Sequence, residues 1–416
     1  MMTPSRGRQL PEGKASSEGF SLVELLVAMA VFMLVSAVSF DLFSRHQALL
    51  SEEQSTAGLN IGLRNALAQA QLDLVNSGNG LIVGINVPAW PVGVTIQNSN
   101  PTAAQCYQAA TFSAAGALLN PPVYYAACFD TLNVVLADRN TPPLNPCAAS
   151  GCSVSTSGST SLSGLPASPY TAAQVAGNFH AGDQILFVKS CSGGNSMNPP
   201  SPGNPNPLSS GCQFTTATLT AVGTVTTAPA GCAVQGCVVL NFTATLPGGA
   251  NNPCPAAVLA CPPPIGANGC NDPLRMSING VAPAGDLTDT FGQYDWVVRL
   301  SPITYCVNAS NTADPQLLRV QAGVANPLMD QVIGFKVGAA LWNNVNTSTF
   351  QYNYSAGTYS PTANEFNLIR SVRVSIIGRT QPNATNPYRN PFDQGPYQIR
   401  GNSIIVNPRN LTMNND

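Results

Sequence analysis

Charge is what this chain of 416 residues has least of: 9% is Asp, Glu, Lys or Arg, against about a quarter in ordinary globular proteins. The deficit is uneven. Between Asn76 and Cys270 only five charges occur: Asp130, Asp138, Arg139, Asp183 and Lys189. Binding a phosphate backbone needs clustered Lys and Arg, so no nucleic-acid partner is expected, and the net charge of −2 supplies no basic footprint elsewhere. Ser, Thr, Asn, Gln, Gly and Pro must build the surface of that region. Histidine is scarce too, with only His46 and His180. There is no G-x-S-x-G, no P-loop and no dinucleotide glycine pattern. His180 has Asp183 three residues on but no nucleophile in a defined elbow, so it reads as an ordinary loop histidine. The chain reads as a non-enzyme with no cofactor and no metal.

Cysteine is missing from the first 105 and the last 110 residues. The 12 stand at Cys106, Cys128, Cys147, Cys152, Cys191, Cys212, Cys232, Cys237, Cys254, Cys261, Cys270 and Cys306. An even set confined to one region predicts disulfides in an oxidising compartment outside the cytoplasm. Metal binding is the rival, but zinc sites favour C-x2-C pairs and histidine. Here the close pairs are C-x4-C, Cys147/Cys152 and Cys232/Cys237. The connectivity is open; two small loops closed by those pairs are the local expectation.

Proline is missing between Pro11 and Pro88, and from Phe20 to about Val75 the chain reads as one helix. Its 56 residues would span ~84 Å. The first half is apolar all round. In the second half Leu59, Leu63, Leu67, Ala70 and Leu74 form a stripe expected to pack on the protein's own sheet. Arg64, Gln69, Gln71 and Asp73 fall off that stripe. Gly58 and Gly62 each weaken the helix by ~1 kcal/mol and allow a local bend, and "NSGNG", residues 76–80, should end it. From Leu22 to Leu42 the segment spans ~31 Å, enough to cross a bilayer core. Arg6, Arg8 and Lys14 precede it, which predicts a cytoplasmic N-terminus with the rest outside. A secretory signal would need a small-residue cleavage site after the apolar run, which "SAVSF" fits only by stretching. Neither an ordinary anchor nor such a signal explains Glu24, a carboxylate inside the run. An acid in hydrocarbon is a functional hypothesis by default.

These residues, Gly19 and then "FSLVELLVAMA", resemble the type III signal of type IV prepilins and pseudopilins. The resemblance implies cutting by a prepilin peptidase between Gly19 and Phe20, N-methylation of Phe20, and pairing of Glu24 with the new α-amine of a neighbouring subunit. The helix-bending proline that many major pilins carry near the position of Asp41 is absent.

Beyond the helix, "TLNVVLAD", "QILFVKS", "FTTATLTAVGTVTT" and "CVVLNFTATL" read as strands separated by Ser-, Pro- and Gly-rich loops. "YDWVVRLSPITYCV", "LLRVQAG", "QVIGFKVGAAL", "IRSVRVSIIGR" and "YQIRGNSIIV" read as an antiparallel sheet. Their order is similar to the C-terminal half of the PilW-type minor pilins. The expected fold class is α+β: a long N-terminal helix packed on an antiparallel sheet head. The expected parts are a leader, 1–19, a helix, 20–75, and a head, 76–416, with 81–285 as a Cys-rich insertion and 286–416 as the sheet. Asp286, Asp289 and Asp295 lack EF-hand spacing and read as a turn. The N-x-S/T triplets at Asn241, Asn308, Asn346, Asn353, Asn383 and Asn410 read as chance matches. Trp342, Tyr352, Tyr354 and Tyr359 read as hairpin packing or an adhesive surface.

The resemblance implies a minor pilin that primes or caps pilus assembly. It would sit in the inner membrane before assembly and then in the pilus at the cell surface. Its partners would be the prepilin peptidase, other minor pilins and the major pilin. A type II secretion pseudopilin and a tip adhesin on the same anchor are the alternatives.

Overall fold

The computed structural model describes residues 21–78, 93–98, 106–114, 116, 118–138, 140–146, 154–155, 161–188, 214–225, 232, 236–244, 290–291, 295–321, 324–341, 350–351, 369–382 and 388–408. The chain divides into two compact units, residues 1–57 and 58–416; the second is called the head below. Helix α1, Leu22–Val75, is unbroken at Gly58 and Gly62. Their cost of ~1 kcal/mol each is small beside the burial of Leu59 and Leu63, roughly 1.5–3 kcal/mol each. The helix ends where Gly78 adopts φ +70°, a left-handed turn suited to glycine. There the Asn76 side chain donates to the Leu72 carbonyl at 2.7 Å, and Gly78 N–H donates to Val135 O at 2.8 Å.

In the first unit, α1 shows its apolar side chains to solvent, with Leu22 78% and Phe32 72% exposed. An 18-residue stretch of the helix has a mean hydropathy of 2.4, long and apolar enough to cross a membrane.

Twenty strands are described: β1 (Val94–Gln97), β2 (Tyr107–Gln108), β3 (Thr111–Phe112), β4 (Leu118–Asn120), β5 (Val123–Tyr124), β6 (Thr131–Ala137), β7 (Leu144–Pro146), β8 (Val154–Ser155), β9 (Ser161–Pro166), β10 (Gln184–Val188), β11 (Phe214–Val225), β12 (Cys237–Ala244), β13 (Thr290–Phe291), β14 (Trp296–Asn308), β15 (Gln316–Gln321), β16 (Val324–Met329), β17 (Val332–Leu341), β18 (Phe350–Gln351), β19 (Ile369–Arg379) and β20 (Ile399–Val406). A short helix α2 (Ala172–Ala176) lies between β9 and β10 and opens on a capping box made by Thr171 and Gln174.

The main core lies between α1 and two sheets. Leu59, Leu63, Leu67, Ala70 and Leu74 are buried with Ile303 and Tyr305 of β14, Phe335 and Val337 of β17, and Val372, Val374 and Ile376 of β19. One sheet has ten strands; the other has the order β18-β17-β19-β20. Strand β14, 13 residues long, organises the first. Its C-terminal half pairs with β6 and β15. Its N-terminal half pairs with β10, which leads through β11, β12 and β9 to β7. Strand β7 pairs back onto β14 at Val297 and Leu144, closing a ring of six strands. The ring encloses a second core of Leu144, Leu162, Ile185, Leu219, Phe242 and Val297, on which α2 packs Val175.

The fold is α+β, and residues 81–285 share a sheet with residues of 286–416. Strands β1, β6, β10, β11 and β12 of that region are woven into one sheet with β14, because β14 is long enough to serve two neighbourhoods. Residues 58–75 of α1 belong with the head as well.

Candidate assembly site and the polar clusters of the head

At the start of α1, Ser21 N–H donates to Glu24 Oε2 at 3.0 Å, and Glu24 N–H donates to Ser21 Oγ at 3.2 Å. This is a capping box, satisfying two amides at the helix N-terminus. Its S-x-x-E signature stands in the sequence at Ser21 and Glu24. Glu24 shares one exposed helix face with Val23, Val27, Ala28, Val31, Phe32 and Val35. Gly19 and Phe20 lie outside the described residues.

Three charged clusters hold the head together, and two of them use charges from the charge-poor region. Arg299 of β14 donates to Asp138 at 2.6 Å and to Asp183 at 2.7 and 3.0 Å. Lys336 of β17 donates to Asp130 at 2.8 Å. Three of the five charges between Asn76 and Cys270 thus answer cations of the C-terminal third. Burial pushes the Asp138 carboxyl up, but donors Thr141, Asn140 N–H and Arg299 outweigh it and hold it below the usual range. A depressed value stabilises the fold above the unfolded value near 4 and loses that contribution as pH falls through the folded value. Melting curves from about pH 5 down to about pH 2.5 should therefore show acid lability that is smaller in Arg299→Met. His180 is exposed, 3.6 Å from Asp183, whose carboxylate Arg299 also engages.

In the third cluster Asp73 of α1 receives the Tyr305 hydroxyl, and Arg319 Nε at 2.7 Å. Asp73 is 7% exposed, which corrects its placement off the buried stripe: it borders that stripe, and its partners sit on β14 and β15.

A further network surrounds Asp393, which is fully buried. It accepts from the Tyr124 and Tyr397 hydroxyls, from Asn390 Nδ2, and from Gly395 N–H at 2.9 Å. Arg379, 2% exposed, donates to Tyr397, to Gln331 at 2.7 Å and to Ala313 O at 2.9 Å. A Cβ on Gly395 would stand 2.3 Å from the Tyr397 ring. Gly395→Ala should therefore cost about 1–3 kcal/mol by overpacking, read as a lower denaturation midpoint.

Cys106 is bonded to Cys128 and Cys232 to Cys237; Cys306 is also disulfide-bonded. Cys147, Cys152, Cys191, Cys212, Cys254, Cys261 and Cys270 lie outside the described residues, as do Asp286, Asp289, Asn346, Asn353, Asn383, Asn410, Trp342, Tyr352, Tyr354 and Tyr359. Asn241 lies within β12, and Asn308 Oδ1 accepts from Ser310 N–H at 3.0 Å. No group of His, Cys, Asp and Glu suited to a metal ion occurs among the described residues.

Residues 14–40 match the family model described as the prokaryotic N-terminal methylation motif. Comparison with curated proteins gives no match. Among solved structures, a type IV-like pilin from Thermus thermophilus is 14% identical, over 27% of this chain and 68% of that one, with a TM-score of 0.19. Residues 14–40 thus carry a prokaryotic N-terminal methylation motif, set at the head of an apolar helix with Glu24 in its first turn.

Proposed function

We propose that the chain is a minor pilin of the PilW type, which primes or caps a type IV pilus. The observation that carries this reading is the methylation motif of residues 14–40 running into an apolar helix whose side chains are exposed. Apolar surface of that extent needs lipid before assembly and neighbouring helices afterwards. The prepilin peptidase cuts after Gly19 and methylates Phe20. Glu24 then exchanges its capping contact for the α-amine of a neighbour among the minor pilins or the major pilin. A buried carboxylate is tolerated when paired in this way. The leader and N-terminus lie in the cytoplasm and the head outside, where disulfides form.

N-terminal mass spectrometry of the mature protein should find methylated Phe20; a chain starting at Met would overturn the reading. Glu24→Val should still be cleaved, yet its incorporation into pili should fall by about tenfold or more, as expected for a lost buried pair. Deleting the protein should abolish or thin out pili while leaving type II secretion intact; the reverse outcome would make it a pseudopilin.

A further inference from the structure

Asn98, Asp130 and Lys336 meet although they come from distant parts of the head. Asn98 follows β1, Asp130 precedes β6, and Lys336 lies on β17. The Asp130 side chain is fully buried and Asn98 is 2% exposed. Lys336 Nζ donates to Asp130 Oδ1 at 2.8 Å. Asn98 Nδ2 donates to Asp130 Oδ2 at 2.9 Å and to the Val337 carbonyl at 2.8 Å. Val337 N–H donates to Oδ2 at 2.9 Å. One carboxylate therefore touches an amine with one oxygen and a carboxamide nitrogen with the other.

We propose that Lys336 and Asn98 become joined by an amide bond, with Asp130 as the catalytic proton carrier. The Lys336 ammonium gives a proton to Asp130 along their hydrogen bond, which leaves a neutral amine. Nζ attacks Cγ of Asn98, and the proton on Asp130 passes to Nδ2. The Cγ–Nδ2 bond breaks, the nitrogen leaves as ammonia and takes up one of the two remaining Nζ protons, and the other stays as the N–H of the new amide. The sum is an ammonium and a carboxamide giving a substituted amide and ammonium ion, with nothing oxidised or reduced. A group touching both nucleophile and leaving nitrogen is placed to move a proton between them. Holding the reactants in one fold makes the step intramolecular. Asn98 and Asp130 are buried among Phe129, Phe335 and Val337, while the Lys336 side chain is 39% exposed and opens the cluster to solvent on its own side only. The product bonds the ten-stranded sheet, through the end of β1, to the four-stranded sheet, through β17.

The test is mass spectrometry of the full chain purified in detergent, reduced and alkylated so that the cysteines are accounted for. The chain should be lighter than its sequence by one ammonia, and digestion should give a branched peptide joining Asn98 to Lys336. Asp130→Asn should have the full mass. An unshifted wild-type mass, with Asn98 and Lys336 recovered in separate linear peptides, would overturn the proposal. So would loss of one water with Lys336 joined to Asp130, or loss of ammonia that persists in Asp130→Asn.

Discussion

Asp73→Ala is expected to lower the stability of the head by about 3–5 kcal/mol, the range for breaking a buried pair by removing one partner. The substitution leaves the buried Tyr305 hydroxyl without its acceptor and takes the carboxylate from the Arg319 guanidinium, which keeps its contact with Gln321 at 2.7 Å. The charge itself is not what the fold requires. Asp73→Leu combined with Arg319→Met and Tyr305→Phe removes every member of the cluster and should recover most of the loss, since buried pairs exchanged for apolar side chains are often neutral. Denaturant titration of the three proteins checks this. If Asp73→Ala melts like the native chain, the cluster does not anchor the helix.

The second large effect is at high pH. Burial and the facing carboxylate of Asp73 push the Tyr305 hydroxyl far above its usual value. Burial and hydrogen bonding to Asp393 do the same for Tyr124 and Tyr397. In each case the folded value lies above the unfolded one near 10. The stabilisation is complete below about pH 10 and drains away as pH climbs beyond it, because only the unfolded chain releases these protons. Each tyrosine removes up to ~1.4 kcal/mol per pH unit, so three together remove ~4. Thermal melts from about pH 9 to about pH 11.5 should show a steep fall in midpoint. Tyrosinate absorbance should rise first for exposed rings and then jump with unfolding. A midpoint that stays flat over that range would show that these hydroxyls ionise in the folded protein.

Much of this molecule was legible in its sequence, and the reasons are local. The 3.6-residue spacing of Leu59, Leu63, Leu67, Ala70 and Leu74 reports burial directly, since one face of a helix is a property of a single segment. The alternation in "IRSVRVSIIGR" gave β19 for the same reason. Residues 14–40 needed no fold at all. What stayed hidden depends on pairing across the chain. Asp73 meets Tyr305 and Arg319 across 232 and 246 residues; the helix period places it beside Ala70 and Leu74 but cannot name those partners. Few charges between Asn76 and Cys270 read as an isolated neutral surface, whereas Asp130, Asp138 and Asp183 are scarce because each is spent on a cation elsewhere in the head. The pairing of 81–285 with β14 stayed hidden because β14 looks like one strand and acts as two.

The six-stranded ring has a bearing on solubility. Proteins commonly stay apart in solution by carrying many charges, and this chain has few. A strand at the margin of a sheet offers unmet amides and carbonyls to any similar margin that drifts by, the usual start of aggregation. Within the ring each strand already has a neighbour on both flanks, β7 and β14 included. Geometry there supplies the protection of strand margins that electrostatic repulsion would otherwise give.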